Sequence, residues 1–102
     1  MFELAEAERR VRADVRQAYR AWLRSAASVE LEGRSVGLAE KQVRLATLRY
    51  ERGIASNFDV VEAENTLLQA EASLISARLD RVIAGLQLRR ACGRLDPREF
   101  EG

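Results

Sequence analysis

The feature that most constrains this chain is a seven-residue apolar repeat within residues 2–52, a stretch that contains no proline. One row of the repeat consists of Val15, Trp22, Val29, Val36, Val43 and Tyr50. A second row lies three or four positions away and consists of Val11, Ala18, Ser25, Ala39 and Ala46, with Glu32 as its polar exception. Such a pattern, sustained for about five heptads, predicts coiled-coil packing of one long helix. A helix of about fifty residues would be roughly 75 Å long.

Glycines interrupt and then end this first helix. Gly33 and Gly37 lie inside the repeat, where they predict a slight bend or a close approach of another helix. The repeat breaks at residues 53–57, and Gly53 suits the position just after a helix, where a left-handed residue avoids a Cβ clash. A connection of about four residues makes the two flanking helices antiparallel.

The boundaries of the second helix follow from its capping residues. Ser56 or Asn57 can cap its start, and Asp59 is then favourably placed in the first turn. Gly93 is suited to follow its last residue, and Pro97 prevents further continuation. The predicted boundaries are a hairpin over 1–93, made of a helix at about 3–52, a turn at 53–57 and a helix at about 58–92, followed by a tail at 94–102.

The second helix carries two apolar rows. The first row consists of Val61, Asn65, Leu68, Ala72, Ile75, Leu79, Val82 and Leu86. The other is alanine at every seventh position, widened by two leucines: Ala63, Ala70, Ala77, Ala84 and Ala91, with Leu67 and Leu74. One partner helix covers only one row, so the other row requires further helices. Both a small self-associating bundle and a sheet of helices with two neighbours each satisfy this requirement. The predicted fold is therefore all-α, a long antiparallel helical hairpin that packs with further copies.

Composition excludes several function classes. The chain has no histidine and one cysteine, which excludes a zinc site of the His/Cys type and histidine-based catalysis. Its 17 Lys and Arg are balanced by 16 Asp and Glu, which argues against a nucleic-acid-binding module. The sequence contains no phosphate-binding loop, nucleophile elbow or metal-ligand spacing. We therefore expect neither an enzyme nor a bound cofactor or metal.

A family resemblance is carried by the residues around the turn, which read RYERGIASNFDVVEA over 49–63. This segment resembles the TolC family of outer-membrane efflux proteins, whose pattern is roughly R-Y-x-x-G-x-x-S-x-x-D-V-L-x-A. The residues that match it are Tyr50, Gly53, Ser56, Asp59, Val60 and Ala63, whereas Val61 stands where leucine is more usual. The resemblance covers about residues 9–93.

The resemblance implies the fold and function of a piece of a longer chain, the helical hairpin of the second repeat. Proteins of that family form trimers with a barrel in the outer membrane and a helical tunnel in the periplasm. The implied function is a segment of that tunnel, a passive export conduit that works with a periplasmic adaptor protein and, indirectly, an inner-membrane pump. The implied location is the outer membrane, with this segment in the periplasm and membrane contact only through barrel strands outside it.

Site residues are also implied by the resemblance. Asp59 and Glu62 correspond to acidic residues at the narrow mouth of the tunnel, where threefold symmetry turns each carboxylate into a ring that attracts cations. The alternative is that both simply favour the start of a helix. Tyr50, with Arg49 or Arg52, corresponds to ties between neighbouring hairpins, although Tyr50 is equally the last member of its heptad row.

The same turn corresponds to the contact with the adaptor. The residues implied in that docking are Arg52, Gly53, Ile54 and Ser56. A different class of protein remains open from the heptads alone, namely a free-standing coiled-coil scaffold or an adaptor hairpin with no conduit.

Overall fold

The computed structural model describes residues 2–95, which form two helices. Helix α1 is Phe2–Glu51 and helix α2 is Asn57–Leu95. No strand occurs within this described range. The predicted all-α helical hairpin is confirmed.

The chain divides into two compact units. The terminal unit contains the described residues up to Ala27 and from Leu79 onward, and the turn unit is Ser28–Arg78. In each unit a segment of α1 accompanies a segment of α2, so each has its own small apolar interior.

In α1, the face that is withdrawn from solvent is the one that the heptads predict. In the terminal unit, Val11, Val15, Ala18 and Trp22 are half-buried. In the turn unit, the half-buried or buried members of the same rows are Val29, Glu32, Val36, Ala39, Val43 and Ala46. Tyr50 departs from its row, since its side chain is exposed.

In α2, the alanine row is covered and the other row is exposed. Ala77 is only 5% exposed, and Ala84 and Ala91 are also buried. The exposed row keeps its large side chains in solvent, as Leu68 at 62% and Ile75 at 65% illustrate. At 100° per residue the two rows lie roughly 160° apart around the helix. One partner therefore leaves the second row uncovered, as the sequence predicts.

The C-terminal boundary of α2 differs from the prediction at Gly93. Gly93 lies inside α2 and is buried, and within the described residues the glycine with a positive φ is Gly53. The prediction that Gly93 follows the last residue of α2 is therefore wrong, because the Gly93 backbone keeps a helical conformation. Of the predicted tail, residues 94–95 continue α2, while residues 96–102, including Pro97, lie outside the described range.

The close approach of a helix occurs at a different glycine from the expected pair. No neighbouring atom lies within 4 Å of a Cβ built on Gly33 or Gly37. At Gly85, in the terminal unit, such a Cβ would lie 3.7 Å from Cδ1 and Nε1 of Trp22. The indole ring thus rests directly on the backbone of α2 where no side chain intervenes.

These glycines give opposite predictions for alanine substitution. Gly33→Ala should raise the free energy of unfolding by about 1 kcal/mol, because alanine favours a helix interior and has open space there. Gly53→Ala should lower it by about 1 kcal/mol, because φ is +74° at that position. Urea unfolding followed by far-UV circular dichroism measures both changes. Equal destabilisation by the two substitutions would contradict the assignment of Gly53 as the helix terminator.

Candidate functional site: the interhelical turn

The end of α1 is closed by two backbone hydrogen bonds around Gly53. The Gly53 N–H donates to the Tyr50 carbonyl at 3.0 Å, and the Ile54 N–H donates to the Arg49 carbonyl at 2.8 Å. This pair of bonds with a left-handed glycine is the Schellman motif. It satisfies carbonyls that the end of a helix leaves without intrahelical donors. The backbone of the turn is therefore fixed by its own residues.

The start of α2 is fixed by Ser56 and Asp59. The Ser56 N–H donates to Oδ2 of Asp59 at 3.2 Å, and the Asp59 N–H donates to the Ser56 carbonyl at 3.1 Å. A carboxylate at the third helical position that accepts the N-cap N–H is one half of a capping box. Since α2 begins at Asn57, Ser56 is the N-cap, one of the two candidates from the sequence.

Apolar side chains at the turn point into solvent. Ile54 is 72% exposed and Phe58 is 71% exposed. The Ile54 side chain takes no part in the bonds that close the helix, which use its backbone N–H. Ile54 is thus an exposed apolar group on a rigid turn, which suits contact with another protein, whereas Phe58 already belongs to α2. The exposure of Phe58 was not among the sequence predictions, although it extends the exposed row of α2 by one heptad from Asn65.

The acidic residues proposed for the mouth lie at the first turns of α2. Asp59 and Glu62 are both exposed, and the Glu62 carbonyl accepts a hydrogen bond from the Thr66 hydroxyl at 3.1 Å. One carboxylate oxygen of Asp59 is engaged in the cap, so this residue has a structural task in the single chain. The structure brings Asp59 to the turn with Ser56, and it leaves Glu62 outside that hydrogen-bonded group.

The cationic residues proposed as ties have no acidic partner within the described chain. The ion pair found there joins Arg34 to Glu30, and neither Arg49 nor Arg52 forms one. The Arg49 backbone carbonyl accepts from Ile54 and, at 3.3 Å, from the Ala55 N–H. The guanidinium groups of Arg49 and Arg52 are exposed together with Tyr50, so their proposed partners would belong to other hairpins.

The described residues contain neither a metal-binding cluster nor a membrane-spanning helix. No group of three or more His, Cys, Asp or Glu residues that could hold a metal ion is found among residues 2–95. In the same range, neither helix has a stretch both long enough and apolar enough to span a bilayer. What the turn does present is a set of exposed charged and apolar side chains.

The comparison with protein families gives one match that covers most of the chain. The family described as "Outer membrane efflux protein" matches residues 3–94. No curated protein and no solved structure matches the chain. The described part of the chain is thus a two-helix component with a capped turn and an apolar row that its own helices leave exposed.

The family match gives this component a more specific identity: the chain belongs to the outer membrane efflux protein family. This match confirms the resemblance seen around the turn. Proteins of the family are transport channels. Residues 3–94 include all but the first residue of α1 and the last residue of α2, together with the turn between them.

The cap at Asp59 predicts a stability difference between two neighbouring carboxylates. Asp59→Ala should lower the free energy of unfolding by about 1 kcal/mol, because the Ser56 N–H loses its acceptor. Glu62→Ala, three residues further, should cost clearly less, since its carboxylate accepts no hydrogen bond in the described structure. Thermal unfolding of both variants measures the difference. If Glu62→Ala were the more destabilising, the capping role of Asp59 would be wrong.

Proposed function

We propose that this chain is a segment of the periplasmic tunnel of a trimeric outer-membrane efflux channel. In this proposal the segment conducts passively, and energy comes from an inner-membrane pump that acts through a periplasmic adaptor. Membership of the outer membrane efflux protein family supports the general role in transport. The tunnel, the trimer and the partners are the proposed part.

The observation that carries the proposal is the exposed row of α2. In the turn unit the row keeps Val61, Leu68 and Ile75 exposed, and in the terminal unit Leu79, Val82 and Leu86. Apolar surface along one helix face is stabilised when further helices cover it. A closed ring of hairpins supplies such neighbours to every copy, which a hairpin acting alone does not have.

A second apolar row on α1 supports the same arrangement. Leu31, Leu38 and Leu45 recur at sevens in the turn unit, and all three are exposed. Each of them follows a half-buried residue of the heptad row, Val29, Val36 or Val43, by two positions. Residues two apart do not face the same side of a helix, so the partner helix does not reach the leucines. Both helices of the turn unit therefore present apolar residues to neighbours outside the chain.

The proposed mouth of the channel is formed by the first turns of α2. Threefold symmetry would place three copies of Asp59 around the axis, and Glu62 would form a second ring. Rings of carboxylates attract cations and repel anions. The capping bond with Ser56 supports this role, because it holds the carboxylate of Asp59 in a defined position.

The proposed docking surface for the adaptor is the turn at residues 52–56. Arg52, Ile54 and Ser56 are exposed, and the Schellman motif holds their backbone in one conformation. A pre-ordered surface loses little conformational entropy on binding. Docking there would loosen the ties of Tyr50, Arg49 and Arg52 to neighbouring hairpins and widen the mouth.

Charge reversal at Asp59 tests the conduit in the full-length protein. Asp59→Lys should shift ion selectivity in planar bilayers towards anions and should change drug export. Asp59→Asn separates charge from capping, because the amide keeps a side-chain oxygen for the Ser56 N–H while the ring loses its charge. Its selectivity should fall between those of wild type and Asp59→Lys.

A matched control reverses a charge on the same helix away from the mouth. Glu71→Lys alters the net charge equally at an exposed position in the turn unit and should leave selectivity unchanged. If Asp59→Lys left both selectivity and export as in wild type, the ring would be excluded. A coiled-coil scaffold would show that result.

Docking is tested with two exposed apolar residues of nearly equal exposure. Ile54→Ser should weaken co-purification of the periplasmic adaptor by tenfold or more, as for an anchor residue at the centre of an interface. Phe58→Ser serves as the control, because Phe58 lies outside the proposed docking residues. An adaptor that bound both variants as well as wild type would place docking elsewhere.

A further inference from the structure

The net charge of the chain is only +1, but the charges are distributed unevenly along it. Between residues 9 and 27, α1 carries six arginines and a single acidic residue, Asp14. The turn unit, in contrast, has six basic and eight acidic residues. The excess of basic over acidic residues therefore belongs to the terminal unit. The near-equal totals of basic and acidic residues in the whole chain argue against an anionic partner, but they do not apply to this unit.

Four of these arginines form a regular row on α1. The arginine row consists of Arg12, Arg16, Arg20 and Arg24. A spacing of four residues places each about one helical turn after the last, so the row extends over roughly 18 Å. All four side chains are exposed, whereas Val15, Ala18 and Trp22 on the covered face are half-buried.

A shallow groove follows the same row. Its lining residues are Ala13, Arg16, Gln17, Arg20 and Arg24, and its volume is about 450 Å³. Three guanidinium groups thus border one polar depression on the solvent side of the helix. Guanidinium groups bind phosphate through two parallel hydrogen bonds, which favours phosphate as the anion.

The charge of the row is not neutralised within the described chain. Arg34 and Glu30 form the ion pair found among residues 2–95, and no member of the row takes part in one. Asp14 lies two residues from both Arg12 and Arg16, a spacing at which side chains on a helix do not face each other. Like charges four residues apart destabilise a helix. An external anion would remove this repulsion.

Apolar side chains beside the row indicate what kind of anion fits. Tyr19 and Leu23 are about half exposed and lie on α1 between the arginine row and the covered face. The Tyr19 ring stacks on Trp22 with 6.3 Å between ring centroids, which limits its freedom. A helix that combines arginines with exposed aromatic and leucine side chains is suited to a lipid interface. A polyanion in solution would leave these apolar groups in water.

We propose that the arginine row docks on the phosphate groups of an anionic phospholipid surface, with Tyr19 and Leu23 entering the headgroup boundary. The contact is peripheral, consistent with the absence of a membrane-spanning helix among the described residues. It adds a membrane contact within this segment, where the resemblance implied contact only through barrel strands outside it. The proposal concerns the terminal unit alone and does not depend on the proposed channel.

The test is co-sedimentation of the 102-residue chain with lipid vesicles. Vesicles of equimolar phosphatidylglycerol and phosphatidylcholine should bind the chain, and vesicles of phosphatidylcholine alone should not. Binding should disappear in molar salt, where charges are screened within about 3 Å. The variant Arg16→Gln/Arg20→Gln/Arg24→Gln should bind roughly a hundredfold more weakly, given three cations removed from the surface.

Two further variants keep the result interpretable. Lys41→Gln/Arg44→Gln/Arg78→Gln removes the same charge from exposed positions of the turn unit and should bind as wild type does. The row changed to lysine should retain most of the binding. Far-UV circular dichroism verifies that each variant remains helical.

Several outcomes would overturn the proposal. Equal binding to neutral vesicles would assign membrane contact to the exposed apolar rows instead. Equal loss in the two triple-glutamine variants would indicate a response to net charge alone. If polyphosphate bound to the arginine row and anionic vesicles did not bind, the ligand of the row would be a soluble polyanion and not a lipid surface.

Discussion

Each helix carries more apolar surface than a single partner helix can cover, and the rest of the structure depends on this excess. In α2 the alanine row is buried within the hairpin, while the row that contains Leu68 and Ile75 remains exposed. Burial of small alanine side chains contributes modestly to stability, since the hydrophobic gain scales with apolar area removed from water. Much larger side chains are left for contacts outside the chain. A hairpin built in this way is suited to be one element of a larger array of helices, as expected of a member of the outer membrane efflux protein family.

The turn combines structural and proposed functional tasks in the same few residues. Gly53 ends α1 because its backbone takes a left-handed conformation, and Asp59 begins α2 by accepting the Ser56 N–H. These bonds leave the side chains of Ile54 and Phe58 exposed. A carboxylate used for capping is also held at a fixed position, which is what a charged ring at a channel mouth would require.

The sequence predicted those features that depend on local chemistry or on periodicity. The heptads identified the covered face of α1, and glycine with its neighbouring cap residues identified the turn to within a residue. Contacts between helices were less predictable. A close approach was expected at Gly33 and Gly37 and is found at Gly85, beside the Trp22 ring. The position of that ring depends on which residues face it across the hairpin, and a sequence pattern within one helix does not contain this information. The end of α2 was wrongly predicted at Gly93, because a glycine inside a helix and a glycine just after one have the same local sequence signal.

The roles of the turn residues in an assembly could not be derived from a single hairpin. Asp59 and Glu62 have the same charge and neighbouring positions, and only their hydrogen bonds distinguish them in one chain. Their rings would be formed by symmetry, and the ties of Arg49 and Arg52 by residues of other copies. The family pattern around Tyr50, Gly53, Ser56 and Asp59 supplied these assignments, and they remain predictions.

The central claim is that the exposed row of α2 is covered by helices outside this chain. The most direct measurement is the solvent accessibility of a nitroxide label at Ile75, introduced as Ile75→Cys in a Cys92→Ser background. The label should be accessible in the isolated chain, where Ile75 is exposed, and protected in the assembled full-length protein. A label equally accessible to water in both would contradict the claim, because the row would then have no neighbours in the assembly.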